Sequence, residues 1–164
     1  MNESAEIVVD GHAGTGLAEN IMSGSVRVRG NAAQSAAASG RGGLVVIEGD
    51  ASARCGISMK GVAIVVSGSV GHMSAFMGQA GTLVVCGDAG HDLGDSIYEV
   101  DIFVAGKVAS LGADCMEKEM MPADFHRVAA LLGCAQIIAH AGRFRRYGSA
   151  RRLYNFHIDH AAEY

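Results

Sequence analysis

The sequence predicts an all-β fold, a single-stranded right-handed parallel β-helix of about six to seven coils of nineteen residues, followed by a short helix and an extended tail. Three observations carry this. Glycine recurs at Gly11, Gly30, Gly49, Gly68, Gly87 and Gly106, always after a short apolar run. Those runs are rich in β-branched residues: "EIVVDG", "SVRVRG", "LVVIEG", "AIVVSG", "TLVVCG" and "DIFVAG". And a nineteen-residue period is too short for a helix pair with its connections, so each period is one solenoid coil.

The strand of each coil comes first. Ile7, Val26, Val45, Ile64, Leu83 and Ile102 form one column, and Val9, Val28, Ile47, Val66, Val85 and Val104 another. Side chains alternate faces along a strand, so both columns point into one core along the solenoid axis. The column between them points outward and reads Val8, Arg27, Val46, Val65, Val84 and Phe103. That is more apolar surface than water should meet, and another chain or the C-terminal segment is expected to cover it. A third column, Ala18, Ala37, Gly56, Ala75, Gly94 and, in a partial seventh turn, Ala113, holds nothing larger than a methyl group. It marks a tight corner. Coils stacked about 4.8 Å apart make a rod of about 25 to 30 Å. Right-handed winding is expected, as for other parallel crossovers.

The solenoid is expected over residues 1–118, and a capping helix with a basic, aromatic tail over 119–164. In the second part, the segment from Pro122 to Leu132 places Phe125, Val128, Ala129 and Leu132 on one helical face, with Pro at its start and Gly133 just beyond its end. This helix should blunt the last coil. "GCAQIIAHAG" reads as a strand or a turn of helix, and the remaining tail is too aromatic to hang free. At the other end strand residues begin at Ile7, so the first coil needs cover from another subunit or belongs to a longer design.

Composition limits the function. The 164 residues carry 13 Lys and Arg against 17 Asp and Glu, a net charge of −4, which disfavours nucleic acid as a partner. Five of the cations, Arg143, Arg145, Arg146, Arg151 and Arg152, cluster in the tail and suit docking on acidic protein surface. No apolar stretch is long enough for a membrane span, and a cytoplasmic location is expected. Cys55, Cys86, Cys115 and Cys134 show no metal-site spacing and read as small apolar residues. No metal, cofactor or catalytic residue is therefore expected on this chain. "GHAGTG" and "SGRGG" lack the order of a phosphate loop. Asp88, Asp92, Asp95, Glu99 and Asp101 lack the nine-residue period of calcium-binding rolls and read as a solvated or docking face. His72 and His91, nineteen apart and each after a glycine, should stack on adjacent coils. Two readings stand for them: a lining for the path of an amine or ammonia, and a loop ladder packed against a neighbour. His157 and His160 read as packing residues.

Through this repeat the chain resembles the GXGXG β-helix domain at the C-terminal end of the large subunit of glutamate synthase, a domain also found in one subunit of formylmethanofuran dehydrogenase. The stretches "GNAAQSAAASGRGGLVVIEGDASARCGISMKG", "GSVGHMSAFMGQAG", "GDSIYE", "SLGADCMEKEM" and "RRYGSARRLYNFHIDHAAEY" look most like the stand-alone form, the family of the β-helix subunit of methylamine-glutamate N-methyltransferase (N-methylglutamate synthase). Members of that group usually carry further sequence before the first coil. The resemblance implies a non-catalytic scaffold between a glutamine amidotransferase-like subunit and an FMN synthase-like subunit, with FMN and an iron-sulphur cluster on the latter. Arg145, Arg146, Tyr147, Arg151, Arg152 and Tyr154 are then the expected interface, with His72 and His91 beside the nitrogen route. An analogous scaffold in a formylmethanofuran-dehydrogenase-like complex is the alternative. A stand-alone enzyme acting on the solenoid face would need charged residues where the strands carry aliphatic ones.

Overall fold

A computed structural model of the chain describes residues 5–152. Six short strands, β1 (Glu6–Val9), β2 (Ser25–Val28), β3 (Leu44–Ile47), β4 (Lys60–Val66), β5 (Ala80–Val85) and β6 (Glu99–Val104), pair in sequence order, each parallel to the next. The register follows the period: Ile7 opposite Val26, Val26 opposite Val45, Val45 opposite Ile64, Ile64 opposite Leu83 and Leu83 opposite Ile102. The fold is a parallel β-solenoid of about five turns with one α-helix, fewer than the six to seven coils expected. The seventh period fails because β7 (Cys115–Lys118) does not stack on β6. Strand β8 (Arg145–Ser149) enters between them and pairs antiparallel with both.

Two apolar layers form. The inner one fills the axis with the inward columns of β3 to β6 and with Ala36, Cys55, Met59, Leu93 and Ile97 from the other walls. The outer one consists of Val46, Val65, Val84 and Phe103 under Val128, Leu132 and Ala135 of the helix, with Phe144 beside them. The C-terminal segment therefore covers the outward column from Val46 to Phe103. It does so from the flank, and the helix does not plug the end of the rod as expected. A stripe of aliphatic side chains along the wall offers far more area to a helix than one coil's end does.

The helix α1 (Pro122–Ala135) runs past Gly133, three residues beyond the predicted stop. Its last turn is closed by Gln136 at φ 54°, whose N–H donates to Gly133 O, and by Ile137 N–H donating to Leu132 O. The buried face is Asp124, Val128, Leu132 and Ala135, while Phe125 and Ala129 face outward. Residues 137–140 have no regular structure, and a 3-10 turn follows at Ala141–Arg143.

The small-residue column has a backbone cause. Ala18, Ala37 and Ala75 have φ of 54°, 56° and 61°, with Gly56 and Gly94 at 70° and 67°. Flanking residues two positions away, Gly16 and Asn20 in the first coil and Arg54 and Ser58 in the third, are left-handed as well. Three left-handed residues in alternation turn the chain through its corner. The middle one faces the packed interior, where only a hydrogen or methyl fits. In the incomplete seventh turn the left-handed residue is Asp114, not Ala113.

Candidate functional site

Three surface features stand out from the rod. The first is a polar ladder immediately after the periodic glycine: His12, Asn31, Asp50, Ser69, Asp88 and Lys107. Each of the first five accepts a backbone N–H from the next coil. Asn31 N donates to His12 Nδ1 at 2.9 Å, Asp50 N to Asn31 Oδ1 at 2.9 Å and Ser69 N to Asp50 Oδ1 at 2.7 Å. Asp88 N donates to Ser69 Oγ at 3.0 Å and Lys107 N to Asp88 Oδ1 at 2.7 Å. The ladder explains the periodic glycine: a Cβ at Gly87 would lie 2.6 Å from Ser69 Oγ. It also accounts for one member of the acidic set, Asp88, as a linker between coils. The signal is present in the sequence as five short acceptor side chains at a spacing of nineteen.

The second feature is an ionic latch joining β6, β8 and α1. Arg146 donates from Nε to Asp101 Oδ1 at 2.9 Å and reaches Asp124 Oδ2 at 3.3 Å through Nη1. Arg127 of the helix pairs with Asp101 and lies 3.7 Å from Asp124 Oδ1. Asp124, nearly buried, also accepts the Met121 N–H at 2.9 Å and so starts the helix. Two guanidinium groups and two carboxylates thus satisfy one another where three elements meet. Arg127 further lies over the Phe103 ring. Arg27, the one charge in the outward column, pairs with Glu48 and donates from Nη2 to Ala135 O at 2.6 Å, pinning the C-terminal end of the helix.

The third feature is the set of residues expected at an interface. Arg145, Arg146 and Tyr147 lie on β8, so the basic tail begins by docking on this chain's own acidic strand. Arg145 donates to Gly106 O and sits 3.8 Å from Glu117. Arg151 pairs with Glu99 at 2.7 Å, on the surface. Tyr147 is buried, and burial raises its phenol pKa above the ordinary value, offset in part by Arg145. Arg152 is exposed, its N–H donating to Asp114 Oδ1 at 2.9 Å. Tyr154 lies outside the described residues, as do His157 and His160. His72 and His91 occupy consecutive coils and are both exposed, and His91 Nδ1 is 3.2 Å from Ser110 Oγ of the following coil. Met73 N–H donates to His91 O and Arg54 N–H to His72 O, so the two histidines belong to one continuous backbone ladder.

The cysteines are free. Cys55 is sealed in the inner core, and burial pushes its thiol up to about 12. Cys115 is also raised to about 12, by burial first and then by neighbouring Asp114. Burial raises Cys86 as well, Arg143 opposing it. A thiol held protonated is a poor nucleophile and a poor metal ligand. Among the described residues no group of three or more His, Cys, Asp or Glu is arranged to hold a metal ion, and no helix is long and apolar enough to cross a membrane.

These features define a parallel β-solenoid bolted along one wall by its own C-terminal helix and strand. The chain is 59% identical over 165 residues to a protein called Protein GlxC from Rhizobium meliloti (strain 1021), an alignment that takes in all of this chain and 72% of that relative. It belongs to the GlxC family. No family model and no solved structure matches it.

Proposed function

We propose that this chain is a non-catalytic scaffold subunit of a glutamine-dependent, FMN-containing complex of the glutamate synthase type, one that makes N-methylglutamate. It bridges an amidotransferase-like and an FMN synthase-like subunit, with FMN and the iron-sulphur cluster held by the latter. The observation that carries this reading is the unbroken parallel register from β1 to β6. Every strand is locked to the next by backbone hydrogen bonds, so the two ends of the stack are held about 24 Å apart, at about 4.8 Å per step. A spacer that must keep two active sites at a constant distance needs that stiffness. Membership in the GlxC family supports the glutamate-synthase relationship, and the sequence resemblance supports the choice of complex. The exposed residues Arg151 and Arg152 are the surface offered to a partner, and His72 and His91 lie on a face available to the nitrogen route.

Co-expression with an amidotransferase-like and an FMN synthase-like subunit encoded beside it, followed by affinity purification on this chain, tests the reading. A yellow complex containing all three chains is expected. Recovery of this chain alone, colourless and monomeric, while both candidate partners are present and folded, would overturn it.

A further inference from the structure

Where β6, β7 and β8 meet on the outer face, a polar slot of about 90 Å³ opens above Gly148, walled by Glu99 and Asp101 of β6, Lys118 of β7, Arg146 of β8 and Arg151. Lys118 stands directly opposite Arg146 in the antiparallel ladder. Like charges so placed repel, and natural sheets favour opposite charges there. The surrounding ions do not remove the conflict. Asp101 and Asp124 are matched by Arg127 and Arg146. Glu99 is matched by Arg151 through Nη2 alone. Lys118 is left over: among the described residues no carboxylate lies within ion-pair distance of its ammonium group. Its stem crosses Gly148, where a Cβ would lie 3.2 Å from Lys118 Cε and 3.3 Å from Cδ. The φ of Gly148 is not in the left-handed region, so glycine there serves space and not backbone conformation.

We propose that this slot binds one small oxyanion group, a phosphate or a carboxylate, held by Lys118 Nζ and by the guanidinium nitrogens of Arg151 that Glu99 leaves free. Lys118 brings three N–H donors and Arg151 brings Nε and Nη1, enough for a ligand with two or more acceptor oxygens. The bound anion screens Lys118 from Arg146 and ties β7 and β8 to β6. It fastens the strap that closes the solenoid, independently of the scaffold role above.

The test is a titration of the isotopically labelled full chain with inorganic phosphate, and separately with acetate, at ionic strength held constant with sodium chloride, following backbone amide signals by NMR. Saturable shifts centred on Gly148, Lys118 and Arg151 are expected with at least one of the two anions, and the two arms show which oxyanion the slot prefers. Lys118→Gln, on an edge strand, should abolish them. Gly148→Ala, which keeps the lysine charge but fills the floor, should weaken binding severalfold. Absence of saturable shifts at Gly148 with either anion, or shifts of equal size in Lys118→Gln, overturns the proposal.

Discussion

The same columns meet different fates at the two ends of the rod. At the first coil Ile7 is 53% and Val8 45% exposed, whereas their equivalents in the sixth coil, Ile102 and Phe103, are fully buried. Even the periodic glycine differs: a Cβ at Gly11 would meet nothing, whereas at Gly106 it would lie 2.4 Å from Gly87 O. The inward residues are of the same type at both ends, Ile7 and Val9 against Ile102 and Val104. What lies against them differs: β1 is the edge strand, paired only with β2, whereas β6 is flanked by β5 and β8, and Phe103 lies under α1. A repeat thus sets the direction in which a side chain points, and what lies upon it sets its energetic worth.

Truncating one inward column at two heights should give very different losses of stability. Leu83→Ala should cost about 3 to 4 kcal/mol through lost transfer and a cavity in the sealed core. Ile7→Ala should cost less than about 1 kcal/mol, because the removed atoms already meet water. Urea unfolding followed by circular dichroism reads both, and equal costs would show that the first coil is buried in solution. Next in size is the corner: Ala75→Val should lose about 2 to 3 kcal/mol, since a β-branched residue must hold φ near 61° in a packed site. Ala75→Gly in the same assay should stay near wild type.

The latch comes next. Arg146→Met removes the guanidinium between Asp101 and Asp124 and should cost about 2 kcal/mol, the worth of hydrogen bonds to charged partners. Amide exchange should rise in β8 and the first turn of α1 while β2 to β4 stay protected. Uniform loosening would contradict a local strap. An effect confined to alkaline pH distinguishes interior from surface. Cys55 has its thiol raised from 9.0 to about 12 in the folded chain, so folding favours its protonated form. That contribution is complete below pH 9 and is lost as pH rises from 9 towards 12, by about 1.4 kcal/mol per pH unit. Cys55→Ala should flatten this part of the stability curve relative to wild type. At the bottom of the scale, Ile138→Ser, at a fully exposed position, should change stability by less than about 0.5 kcal/mol.

Much of the solenoid is legible residue by residue, because each coil repeats a local rule. Apolar residues at alternate positions fix which face is inside, and a nineteen-residue period fixes the partner. The expected register of Ile7, Val26, Val45, Ile64, Leu83 and Ile102 matches the observed one. The tail is less legible. Its helix begins where the sequence predicts, because Pro122 and Asp124 act locally. It ends later than predicted, because Gly133 on an exposed face can remain helical while Leu132 and Ala135 are held on Val46, Val65, Val84 and Phe103. Arg27 is an exception in an aliphatic column until α1 supplies a carbonyl for it. Lys118 and Gly148 give no sequence signal at all, being far apart in the chain and joined only by strand pairing.

The amino-acid order alone therefore determined the coil: its length, its inward faces, its small-residue corner and its parallel stacking, all consequences of side-chain periodicity acting between neighbouring repeats. Only the tertiary structure decided how the stack ends and what covers its wall. Those outcomes depend on competition for apolar area and on pairing among Asp101, Asp124, Arg127 and Arg146. Such pairs lie up to forty-five residues apart, and no local pattern relates charges at that separation until the chain has folded.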